Sequence, residues 1–351
     1  MSDKFRIDST KIMYHPKRVA QLLDAQYDWE VAKNVYPLYV EVSPVGACNH
    51  RCTFCAVDYI GYQSVRLDSS VLRDILPEMG SLGVKSVMFA GEGEPLLHKQ
   101  INQICDYALA GGLDVAFTTN GVLLDKLDPI NDLSWVKVSL NAGTRDTYSK
   151  VHRTKPEDFD RVVANLKAFV LNRGRCTIGA QMILLPENQH EVDQFKKLGE
   201  DIGLDYTVVK PYSQHKSSTT HQYENFKPNI VVVHKTTGVG ISLPPMIIRQ
   251  NAIETKEIPY KKCLSTPYLW AYIMANGDVY SCSAYLLDDR FKLGNINEQT
   301  FKEIWQGEKR RKNWELMKSL DIKECRVNCR MNQSNIYLNE VIEGIDHVNF
   351  I

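Results

Sequence analysis

The sequence predicts an α/β fold: a partial (β/α)6 TIM-like barrel followed by a small C-terminal domain containing a β-hairpin. Three observations predict it. Six apolar, β-branched runs alternate with helical patterns, as in a parallel sheet built from βαβ units. Polar and glycine residues collect where those runs end, which is where such barrels carry their chemistry. From residue 213 the texture turns polar and irregular before a hairpin signal near residue 277.

A polar lead, 1–37, precedes the first strand, "LYVEVSP" at 38–44, which opens into a cysteine-rich loop and a helix at 69–82. "VKSVMFAG" at 84–91 is the second strand, and "KQINQICDYALAGG" the helix after it. Strands follow at 113–121, 135–143, 177–186 and 206–212, with helices between them at 157–172 and 190–202. The barrel thus covers 38–212. Residues 213–260 read as a linker or lid holding two strand-like pieces, "IVVVHK" and "GVGISL", and 261–351 as the small domain. In "LWAYIMANGDVYSCSAYL" the NGD triplet signals a type I′ hairpin, and a helix is expected at 301–320.

Lys plus Arg balances Asp plus Glu at 42 each, and the longest basic run is "KRRK" at 309–312. That argues against a nucleic-acid partner and makes the run a solvated helix face. The first twenty residues contain no signal-peptide pattern and no run of eighteen apolar residues occurs, so the reading is cytoplasmic with no membrane partner. Seven of nine cysteines fall in two spaced groups, which in a reducing compartment points to metal before disulfides. Cys105 and Cys176 read as structural thiols, and His215, His221 and His234 as surface residues.

In "CNHRCTFC" Cys48, Cys52 and Cys55 place three thiolates in one loop after a strand. With no fourth cysteine nearby, one metal vertex stays open. A structural zinc site is the plain alternative. "GEGEP" follows the second strand, and "SLN" ends the fourth. With these motifs in this order, 38–212 resembles the radical S-adenosylmethionine (radical SAM) superfamily. The resemblance implies a SAM-binding 4Fe-4S cluster on Cys48, Cys52 and Cys55, SAM cleavage to a 5′-deoxyadenosyl radical, and a flavodoxin- or ferredoxin-type electron donor. It further implies that Phe54 packs near the adenine, that Gly93, Glu94 and Pro95 hold the amino group, and that Ser139 and Asn141 contact the ribose side. Glu92 departs from the commoner GGEP form.

Cys263, Cys282, Cys325 and Cys329 form the second group. Their placement around the hairpin resembles the twitch domain, a shortened SPASM domain, and implies one auxiliary 4Fe-4S cluster with every iron ligated by protein. Four thiolates suit zinc as well. The arrangement resembles that of the 2-deoxy-scyllo-inosamine dehydrogenase type. It implies oxidation, or epimerisation, of a secondary alcohol on a small polar substrate such as a sugar, cyclitol or nucleotide sugar. Lys210, Tyr212 and Gln181 are candidate substrate contacts or bases. Modification of a ribosomally made peptide is the competing activity, although fewer than forty residues precede the first strand, too few for a leader-binding winged helix. A noncatalytic iron-sulfur or zinc scaffold would leave "GEGEP" and "SLN" without a role.

Overall fold

The computed structural model describes residues 5, 11–128, 132–212, 215–223, 225–226, 246–248, 260–325 and 329–349. Six parallel strands form the barrel wall: β1 (Tyr39–Val42), β2 (Ser86–Phe89), β3 (Asp114–Thr119), β4 (Trp135–Ser139), β5 (Thr177–Leu184) and β6 (Tyr206–Pro211). Helices Ser69–Ser81, Ile101–Ala110, Glu157–Asn172 and Val192–Ile202 lie in four of the five crossovers, whereas the described residues between β3 and β4 hold only the 3-10 turn Leu124–Lys126. All are within a few residues of the expected spans.

The period-2 alternation of each strand divides its side chains between two environments. Val40, Val42, Val87, Phe89, Val115, Phe117, Val136, Val138, Ile178 and Ala180 belong to the main core, shared with helix residues such as Leu72, Leu76, Ile104 and Leu166. The alternate residues, among them Glu41, Met88, Lys137, Gln181 and Lys210, line an interior cavity. Gly179 on β5 is required by this packing, because a Cβ there would run into the ring of Tyr206 on β6.

Beyond the barrel the structure differs from expectation in instructive ways. A strand missed in the linker, β7 (Met246–Ile248), pairs parallel with β6, whereas both strand-like pieces expected nearby lie outside the described residues. The hairpin strands, β8 (Trp270–Ile273) and β9 (Asp278–Tyr280), are antiparallel as expected, but β8 also pairs parallel with β1. With β10 (Lys292–Asn295) they complete one ten-stranded sheet, order β10-β9-β8-β1-β2-β3-β4-β5-β6-β7. The hairpin therefore covers the open edge of β1.

The hairpin turn is not type I′, since Gly277 alone of the turn residues takes positive φ. Asn276 instead accepts the Asp278 N–H through its side chain. The helix expected at 301–320 is two, Phe301–Gln306 and Glu308–Ser319, broken at Gly307, whose extended ψ of 165° ends the first and opens the second. The basic run is not wholly solvated either. Lys309, Arg311 and Lys312 are exposed, but Arg310 is buried, donating to the carbonyls of Ala32, Val35, Pro267 and Trp305. Its guanidinium lies over Trp305 at 4.1 Å and Trp29 at 5.3 Å, so it ties the N-terminal lead to the C-terminal helices.

Candidate active site

The first cysteine loop leaves β1 and is held from three sides. The GEGEP loop packs directly beneath it: Glu94 N–H donates to the Ala47 carbonyl at 2.9 Å, and a Cβ on Gly93 would overlap the carbonyl oxygens of Val45 and Ala47. Only glycine fits there. From the start of the linker, Ser218 Oγ reaches the Cys55 carbonyl, Thr219 and Thr220 donate to Asp58, and Tyr223 Oη donates to Thr53 Oγ1 at 2.8 Å. On the third side lies the helix Arg145–His152, whose last residue places His152 Nδ1 3.2 Å from Cys52 Sγ.

Burial first, then Glu94 and the Cys55 thiolate, push the Cys48 thiol up to about 11, and burial followed by Cys55 and Cys48 pushes the Cys52 thiol well up. His50 joins Cys52 and His152 in a group whose ligand atoms lie within 4.8 Å of one another. Burial drives His152 down to about 3 and His50 to about 4, so both rings are neutral near pH 7.

The other expected SAM contacts are placed less uniformly. Phe54 is 9% exposed, packs edge-on against His152 at 5.6 Å, and lines the cavity. Glu94 is 2% exposed and already accepts hydrogen bonds from Thr119 Oγ1 (2.6 Å), Asn120 N (2.8 Å) and Leu96 N (3.1 Å). That leaves one acceptor direction on the carboxylate, so its first role here is to brace the loop. Pro95 is buried at the start of the 3-10 turn Pro95–Leu97. Ser139 is half-buried at the end of β4. Asn141 is fully buried with φ of 56°; its Oδ1 accepts Ile183 N–H at 2.8 Å and its Nδ2 faces His152 Nε2. Asn141 thus orients β5 and His152 rather than opening toward a ligand.

The second cysteine group also comes together. Burial first, and then the neighbouring Cys329, Cys263 and Cys325, push the Cys282 thiol far up. Donors point at these sulfurs: Met331 N to Cys329 at 3.4 Å, Ala284 N to Cys282 at 3.5 Å and Asn335 Nδ2 to Cys263 at 3.5 Å. Three thiols in one set, and four in the other, three of them with N–H donors, fit iron-sulfur clusters with and without an open vertex. Cys105 and Cys176 are buried core residues, as expected. His215 is not the surface residue expected: it is buried and stacks on Tyr59 at 4.9 Å.

Both cysteine loops border one cavity of about 660 Å³, lined by Phe54 and Ala56 from the first, Gly91 from the GEGEP loop, and Cys282 and Cys329 from the second. Lys210, Tyr212 and Gln181 line it. Gly93, Glu94, Ser139 and Asn141 do not. The sequence reading missed Glu41, Arg330 and Trp270 on the same wall. A carboxylate inside the apolar strand "YVEV" was the available signal.

Comparison with known proteins supports this arrangement. Residues 42–199 match the model of the radical SAM superfamily, and 263–330 that of an iron-sulfur cluster-binding domain, SPASM. Among curated proteins, a GTP 3′,8-cyclase of Chlorobaculum tepidum is 29% identical over 53% of this chain and 57% of its own length. A probable GTP 3′,8-cyclase of Methanothermobacter marburgensis is 31% identical over 45% and 52%. The chain thus spans little more than half of the curated relatives it matches. Among solved structures, Streptococcus suis SuiB bound to its precursor peptide SuiA superposes with a TM-score of 0.61 at 18% identity, over 97% of this chain and 81% of that one. AdoMet-bound anSMEcpe gives 0.53 at 16%, over 80% and 83%. These likenesses show the fold. No helix among the described residues is long and apolar enough to cross a membrane. The two domain types imply a SAM-binding 4Fe-4S cluster, an auxiliary cluster and SAM. By these two matches, the chain carries a radical SAM domain followed by a SPASM iron-sulfur cluster-binding domain.

Proposed function

We propose that this enzyme removes a hydrogen atom from a small polar molecule held in the barrel cavity, with Cys48, Cys52 and Cys55 holding the SAM-cleaving cluster and Cys263, Cys282, Cys325 and Cys329 the auxiliary one. The observation that carries this reading is the single cavity bordered by both cysteine loops. When bound, the first cluster supplies the electron that cleaves SAM, and the second can take up an electron from the substrate. Phe54 and Gly91 form the SAM side of the chamber. Lys137, Gln181, Lys210 and Tyr212 bring polar groups to the chamber for orienting a substrate.

Oxidation of a secondary alcohol is the outcome that a fully ligated second cluster favours, because it has no vertex to bind substrate directly. The relatives named above point elsewhere, to cyclisation of GTP and, through SuiB, to a peptide substrate. About 660 Å³ is the space that SAM and the reacting part of a substrate would share.

The test is isotopic. With deuterium at the reacting carbon, label should appear in 5′-deoxyadenosine in the wild type and in Cys282→Ala and Cys329→Ala, while oxidised product falls sharply in the two variants. Product formed at the wild-type rate would make the second site structural. Return of a solvent hydrogen to the same carbon would show an epimerase, and a cyclised product from GTP would replace alcohol oxidation outright.

A further inference from the structure

Glu41 and Arg330 are 289 positions apart and meet on the cavity wall. Glu41 is an inward-facing residue of β1, and Arg330 follows Cys329 directly. The guanidinium makes a short contact with Glu41 Oε2, donates to Tyr39 Oη at 2.9 Å and lies 5.2 Å from the centre of the Trp270 ring. Tyr39 stacks on Trp270 in turn, at 6.2 Å and 8°, across the β1–β8 register. This packing fixes where the cation sits. Arg330 and Cys329, neighbours in the chain, line the same cavity wall, with 41% of the Arg330 side chain still exposed. Among the described lining residues Glu41 is the one carboxylate, and it is spent on this arginine.

We propose that the Glu41–Arg330 pair sets the reduction potential of the cluster held by Cys263, Cys282, Cys325 and Cys329. A fixed cation beside a cluster thiolate favours the more negatively charged, reduced state and so raises the potential. Glu41 does two things: it holds the guanidinium in place and offsets part of its charge. Arg330 is therefore a positioning and field-setting residue that makes the second cluster a better electron acceptor. The inference rests on the reading that these four cysteines bind an iron-sulfur cluster.

The test needs no substrate. Anaerobically reconstituted holoprotein is titrated redox-step by redox-step and followed by electron paramagnetic resonance, with iron counted first. Arg330→Met should lower the second cluster's midpoint, Arg330→Lys should keep it near the wild-type value, and Glu41→Gln should raise it, all with the first cluster's midpoint unmoved. If Arg330→Met loses the second cluster, the opposite displacement in Glu41→Gln and the retention in Arg330→Lys still decide. Unmoved midpoints in Arg330→Met and Glu41→Gln, or displacement of both in one direction, overturn the proposal and leave the pair a clamp on the chain. A wild type with only one cluster's iron overturns the underlying reading, and the proposal with it.

Discussion

Replacing Glu92 by Gln should stabilise this protein at neutral pH, although the residue belongs to the GEGEP loop. Glu92 is 4% exposed; its Oε1 accepts the Ala275 N–H at 2.9 Å, and the Tyr272 hydroxyl lies beside the carboxylate. Burial raises its pKa from 4.5 to about 7. Because the folded pKa exceeds the unfolded one, the stability it confers is fully present below about pH 4.5 and is lost as the pH rises to about 7. At about 1.4 kcal/mol for each tenfold change in proton affinity, that elevation is worth roughly 3 kcal/mol. Gln keeps an oxygen for Ala275 and turns an amide toward Tyr272 without a buried charge. For a chain of 351 residues, 3 kcal/mol corresponds to a rise of about 4 °C in unfolding midpoint at pH 8. The assay is a set of paired melts of the holoprotein from pH 4.5 to 8. A Glu92→Gln protein no more stable than wild type at pH 8, or a difference that fails to shrink toward pH 4.5, would refute the reasoning.

Other consequences follow from how the loops are held. Glu94→Ala leaves three donors facing a void and should cost about 1 to 3 kcal/mol of stability, along with weaker SAM binding; denaturation and calorimetry read the two effects, and lost SAM binding at unchanged stability would make Glu94 a ligand contact alone. Gly93→Ala forces a methyl against two backbone carbonyls, which cannot rotate away as a side chain would, so SAM affinity should fall at least tenfold; unchanged affinity by calorimetry would mean the loops separate easily. Arg310→Leu strips the donor from four buried carbonyls and should destabilise by about 3 kcal/mol or more, with hydrogen exchange rising first in the helix Trp29–Ala32 and at Val35; uniform exchange across the chain would contradict its role as a tie.

Much of the barrel was legible because its strands are β-branched runs such as "VKSVMF", whose burial demands are met inside single βαβ units. The Cys48, Cys52 and Cys55 loop was legible for a similar reason: its spacing is local. Partnership across the chain was not. "LWAYI" reads as a strand, but nothing local says that it will lie beside β1 instead of forming a separate sheet. Asn141 and Glu94 occupy motif positions, yet whether each opens to a ligand depends on Ile183, Thr119 and Asn120, which only the folded barrel brings near. Arg310 illustrates the same limit, since its three basic neighbours are solvated and its own burial is decided by tryptophans at positions 29 and 305.

The central claim is that three cysteines after β1 hold the cluster that cleaves SAM and four C-terminal cysteines hold another. It is tested most directly by counting iron and 5′-deoxyadenosine in one triple variant, Cys48, Cys52 and Cys55 all changed to Ala. The account predicts about eight irons in the reconstituted wild type and about four in the variant, with no 5′-deoxyadenosine formed from SAM under dithionite. Full SAM cleavage by the triple variant would contradict it.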